Sequence, residues 1–105
     1  MASVGSTKYI EMHSWTICFG DVVDITAYLG LQKLQGGSWV NVAGPGDTHF
    51  AGVTGVKQYA KESVKCSAVG GSGTYRTKAY ATWHNSDGML GQTTTAYSSG
   101  AALTC

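Results

Sequence analysis

Charge is scarce in this chain: Asp, Glu, Lys and Arg make up 12% of its 105 residues, about half the usual globular share. Seven basic residues face six acidic ones, for a formal net charge of +1. No basic field of that size holds a phosphate backbone, which argues against nucleic acid as a partner. No run of about 18 apolar residues occurs, so no membrane insertion by a helix is expected. Met1–Ser6 is too short and polar for a signal peptide. If the protein is exported, its leader has been removed, and Met1 stands as an initiator before Ala2-Ser3; a natural cytosolic start is the alternative. Proline occurs once, and no segment sustains the 3.6-residue period of an amphipathic helix.

Chemistry is equally sparse. Cysteine occurs three times, never as Cys-x-x-Cys, so neither a zinc nor a redox motif is present. His13, His49 and His84 lie on separate segments without ligand spacing, and no metal or other cofactor is implied. Ser, His and Asp are present, but no Gly-x-Ser-x-Gly elbow exposes a nucleophile. The acids are dispersed, with Asp21 and Asp24 explained by a turn and a strand start. Asn85-Ser86-Asp87-Gly88 lacks the length and the terminal glutamate of a calcium loop and reads as a turn. Together these absences argue against an enzyme.

What the chain does contain is alternation. From Gly73 to His84, residues Tyr75, Thr77, Ala79, Ala81 and Trp83 share one face while polar or amphipathic residues take the other, the pattern of a strand with one dry side. Lys8–His13 predicts a strand, followed by Ser14–Phe19 with Trp15, Ile17 and Phe19 on one face. Val22–Leu34 predicts the longest strand, with Val23, Ile25, Ala27, Leu29 and Leu31 inward and Gly30 marking a bulge or the close approach of another backbone. Gln35-Gly36-Gly37 links it as a hairpin to Ser38–Ala43. Gly44-Pro45-Gly46-Asp47 reads as an exposed turn and His49–Thr54 as a weak edge strand or irregular crossing. Tyr59–Ala68 alternates again, with Ala60, Val64, Cys66 and Ala68 on one side and Glu62 near its exposed start. Gln92–Cys105 supplies a last strand pairing back on the Tyr75 strand.

The pattern predicts a single all-β domain over residues 1–105, with residues 1–7 a flexible or added N-terminus. Its expected architecture is an antiparallel two-sheet sandwich of about seven strands, immunoglobulin- or fibronectin-III-like, with Tyr75 at a tyrosine corner. A small barrel is the alternative. That strand order brings Cys66 to Cys105 at one end of the sandwich and leaves Cys18 unpaired; Cys18 to Cys66, or three buried thiols, are the competing assignments.

Leu31-Gln32-Lys33, Gly37-Ser38-Trp39-Val40 with Val42, and Gly73-Thr74-Tyr75-Arg76 resemble small secreted β-sandwich proteins of Gram-positive bacteria. The resemblance runs from about Thr16 to the end of the chain and rests on strand and turn residues. It implies a secreted, immunoglobulin-like fold and leaves the biochemical role open.

Aromatic residues are the remaining functional candidates, as stacking surfaces for a sugar or anchors for a protein partner. Trp15 and Trp83 are expected in the core; Trp39 and Tyr28 point away from the apolar faces. With Asp47 and His49 of the Gly44–His49 segment they form the candidate binding set. The expected function is a non-enzymatic extracellular binding or structural module with a protein or carbohydrate partner. Alternatives are a secreted inhibitor acting through Gly44–His49, and a surface subunit self-assembling through edge strands or Cys18.

Overall fold

The computed structural model describes residues 2–4, 7–52 and 54–105, with side chains from residue 7 onward. Met1, Gly5 and Ser6 of the expected N-terminal extension, and Val53 of the expected edge strand, lie outside the described residues. The strands are β1 (Ala2–Val4), β2 (Thr7–Thr16), β3 (Asp24–Gln35), β4 (Ser38–Ala51), β5 (Gln58–Lys65), β6 (Gly73–His84), β7 (Leu90–Gln92), β8 (Ala96–Tyr97) and β9 (Ala101–Leu103). A 3-10 turn over Cys66–Val69 separates β5 from β6. The described residues form a three-stranded sheet, β1-β2-β5, and a six-stranded sheet ordered β4-β3-β6, with β7, β8 and β9 successively along the far edge of β6. Every pairing is antiparallel. The chain is therefore all-β with two antiparallel sheets, consistent with a sandwich.

Period-two alternation builds the core. Ile10 and Met12 of β2 and Ala60 of β5 meet Ala27, Leu29 and Leu31 of β3 and Tyr75 of β6, all buried, with Cys66 and Val69 closing one end. At the other end, Ile25 is fully buried beside Trp83, its cross-strand partner on β6. At the start of β6, beside the Cys66–Val69 turn, Tyr75 is 2% exposed, and its hydroxyl donates to the carbonyls of Gly71 and Val69. Its hydroxyl thus satisfies backbone carbonyls a few residues upstream in the chain.

Several local expectations are corrected. β2 runs unbroken through Thr16, so its alternation puts Trp15 on the wet face with Glu11 and His13; Trp15 is 53% exposed instead of buried in the core. Ile17 and Phe19 lie beyond the strand, and Phe19 is exposed. Val23 precedes β3 and is exposed. The longest strand is β4, at 14 residues against 12 for β3. It is longest because Gly44–Asp47 does not turn: β4 continues through it, and the extra residues are absorbed as register shifts opposite Leu29–Leu31 and Gln32. Only glycine fits at Gly44, where φ is +78° and a Cβ would stand 2.7 Å from the Leu29 carbonyl oxygen. Turn-forming residues serve a bulge equally well. Glu62 sits mid-strand and half-buried, not at an exposed start. Ala68 belongs to the 3-10 turn and is exposed. The expected last strand is three short segments, each paired to β6.

Candidate functional site

With Ile25, Ala27, Leu29 and Leu31 turned to the core, the even-numbered residues of β3 face outward, and register carries that face onto its neighbours. Tyr28 pairs with Asp47 and Tyr80, Thr26 with His49 and Thr82, and Gln32 with Asn41 and Arg76. Lys78 pairs with Gly30 on one side and Tyr97 on the other. The outer face of the six-stranded sheet thus collects the four candidates Trp39, Tyr28, Asp47 and His49 with Gln32, Asn41, Arg76, Lys78, Tyr80 and Tyr97.

At one end of this face Arg76 organises the cluster. Its guanidinium carbon lies 4.4 Å from the Trp39 ring centre and 4.0 Å from that of Tyr97, whose strands stand on opposite sides of β6. Cation–π contacts of this kind contribute about 0.5–2 kcal/mol each. The Arg76 Nε donates to Gln32 Oε1 at 2.6 Å, and Gln32 Nε2 donates to Asn41 Oδ1 at 2.8 Å. Gln32 is 7% exposed although it faces outward, because these side chains cover it. Trp39 is accordingly half-buried rather than free. Midway along the face the Tyr28 and Tyr80 rings stack, centres 4.8 Å apart and 15° from parallel. Beside them a depression of about 110 Å³ is lined by Gly30, Asn41, Ala43, Gly44, Pro45, Lys78 and Tyr80.

The other end carries acid–histidine pairs. Asp24 Oδ1 lies 2.7 Å from His84 Nδ1. Asp47 Oδ2 lies 3.3 Å from His49 Nε2, whose Nδ1 is 2.9 Å from Thr26 Oγ1. Thr26–His49–Asp47 has the connectivity of a hydroxyl, a base and an orienting carboxylate. Its setting does not favour nucleophilic chemistry, because the His49 and Asp47 side chains are 75% and 57% exposed. Thr26 also lies on a strand laddered on both sides, so the nearby amides are committed to pairing and cannot cradle an oxyanion. His13 lies on the other sheet, against Glu11. Among the described residues no group of three or more His, Cys, Asp or Glu side chains gathers for a metal ion.

Away from this face, Cys66 and Cys105 stand at disulfide distance, with Cα atoms 6.0 Å apart, as the strand order implies. Cys18 is free and half-buried at the opposite end, and burial pushes its thiol pKa up. Around that end Phe19, Val56, Met89 and Leu90 are exposed on loops or strand starts. On the outer face of the small sheet, Lys57 Nζ lies 4.5 Å from the Trp15 ring centre.

No protein-family model, curated protein or solved structure matches the chain. Sequence alternation was enough to place Trp39 and Tyr28 outward. Arg76, Gln32, Asn41, Tyr80 and Tyr97 were missed because they come from distant stretches of chain that only the strand order brings together.

Proposed function

We propose that the chain is a non-enzymatic extracellular binding module of immunoglobulin or fibronectin type that engages its partner through the outer face of the six-stranded sheet. The observation that carries this reading is the Trp39–Arg76–Tyr97 cluster: aromatic and arginine side chains, the residue types that dominate binding hot spots, are held in fixed geometry on a flat surface. The Tyr75 corner supports the fold type, and the Cys66–Cys105 pair supports an oxidising compartment. No described helix is long and apolar enough to cross a membrane. The resemblance to secreted sandwich proteins of Gram-positive bacteria agrees with this setting.

The inhibitor reading is weaker, since Gly44–Asp47 lies within β4 and does not project. Self-assembly is also weaker. β5, which has no second strand partner among the described residues, carries Lys61 and Lys65, and β4 is interrupted by its bulge; lysines and bulges both disfavour edge-to-edge pairing.

Native affinity electrophoresis through gels containing a panel of polysaccharides or immobilised proteins tests the proposal. Trp39→Ala should abolish any retardation while its thermal midpoint stays within a few degrees of the parent, because a half-covered aromatic anchor contributes more to binding than to folding. Undiminished retardation of a folded Trp39→Ala variant would move the binding surface elsewhere.

A further inference from the structure

Resting on the binding-module reading and going further, we propose that the outer face binds a carboxylate-bearing polysaccharide, a polymer of uronic acid sugars, at the patch formed by Arg76, Asn41 and Lys78. The argument begins with Arg76, whose guanidinium can only donate. The Gln32 atom 2.6 Å from its Nε must therefore be the acceptor, Oε1. That leaves Gln32 its amide nitrogen for Asn41, 2.8 Å away, and obliges Asn41 to accept through Oδ1. Arg76 thus sets the direction of the whole relay, and neither amide is free to turn round.

The groups left over on Arg76, Asn41 and Lys78 are mostly donors. Asn41 is exposed and keeps the N–H bonds of Nδ2; no described residue accepts from the Arg76 Nη groups; Lys78 has no ion-pair partner among the described residues. The acids of the same face, Asp24 and Asp47, are each paired with a histidine and lie at or beyond the Tyr28–Tyr80 stack. A patch with two cations and a surplus of donors complements an anion that only accepts, and a guanidinium held between two rings meets a carboxylate edge-on through paired N–H bonds.

The surroundings favour a sugar over an acidic peptide. The Tyr28 and Tyr80 rings stack beside the patch, and aromatic rings of this kind offer flat apolar faces to a sugar. The depression beside it, floored by Gly30 and walled by Tyr80 and Pro45, offers an apolar surface within reach of Lys78 and Asn41. A Cβ at Gly30 would lie 3.3 Å from the Ala43 carbonyl oxygen and fill that floor.

The full-length chain is tested by affinity electrophoresis and calorimetry against polygalacturonate, alginate and hyaluronate, each beside its methyl ester, with dextran and polyglutamate as controls. The expected result is retention by at least one uronate polymer, lost on esterification and not reproduced by dextran or polyglutamate. Arg76→Gln should weaken it about tenfold or more, since it removes a charge-assisted pair of donors to the carboxylate. Lys78→Gln, which breaks no hydrogen bond or ion pair among the described residues, should weaken it severalfold in a protein folded like the parent. Equal binding to the acid, its ester and dextran would overturn the carboxylate inference while leaving the module intact. Retention by polyglutamate as strong as by the uronates would overturn the choice of sugar. Retention by none of these, with capture of a protein lost in Trp39→Ala, would overturn the inference alone; no capture of any kind would overturn both proposals.

Discussion

Gln32 shows how a polar residue comes to be buried on the outside of a sheet. It is covered by the Arg76 and Asn41 side chains that its own position recruits, and its amide is satisfied at both ends, as burial of a polar group requires. Tyr75 follows the same logic on the core side. Tyr75→Phe keeps the ring in the core but leaves the Gly71 and Val69 carbonyls without its hydroxyl; urea unfolding should show a loss of about 1–3 kcal/mol, and an unchanged midpoint would mean water replaces the bonds at no cost. Glu11 sets a pH dependence. The His13 ring beside it, and then the charge of Lys61, hold its carboxyl below the ordinary glutamate value. A depressed folded-state pKa contributes stability that is present above the ordinary value and is lost as pH falls through the folded one. Urea midpoints below about pH 4.3 should therefore fall more steeply for the parent than for Glu11→Gln, and parallel curves would remove Glu11 from the acid response.

At the scale of elements, alternation read in isolation places strands well and their ends poorly. β3 and β6 emerge almost whole because each buries one face continuously, so a slip of one residue would expose the core set. The Trp15 error has the opposite origin. Dividing β2 after His13 restarts its phase, whereas an unbroken strand inherits the phase of Ile10 and Met12 and turns Trp15 to water. The Gly44–Asp47 error arises because glycine and proline mark a bulge and a turn alike, and only the pairing of Asp47 with Tyr28 and Gly46 with Leu29 separates the two. The candidate site was half legible. Trp39 and Tyr28 follow from their own strands, but the Trp39–Arg76–Tyr97 cluster depends on β4 and β8 flanking the β3–β6 pair, an order that no local pattern encodes. The cysteines were legible through the same strand order, since β9 ends where the 3-10 turn begins. Cys105→Ser should cost about 2–4 kcal/mol in unfolding free energy, as expected for a closed loop with a sequence separation of 39. Non-reducing peptide mapping of the parent should leave Cys18 as the sole alkylated cysteine, and a Cys18–Cys66 link would contradict the assignment.

The whole molecule separates its tasks by surface. The interior between the sheets is apolar, one end is fastened by Cys66 and Cys105, the opposite end exposes Phe19, Val56, Met89 and Leu90 on its loops and strand starts, and the outer face of the six-stranded sheet holds the aromatic and cationic cluster. Low overall charge sharpens that division, because Arg76 and Lys78 lie towards one end of the outer face and Asp24 and Asp47 at or beyond the Tyr28–Tyr80 stack, in a chain with few other charges. Amide NMR during titration with a retained oligosaccharide or protein reports directly which surface is used. The account predicts that the largest shifts, saturating together, fall on the backbone of Gln32, Asn41, Arg76, Lys78 and Tyr80, with residues 17–23, 54–57 and 85–89 unmoved. Shifts confined to those loop residues, with β3, β4 and β6 silent, would contradict it.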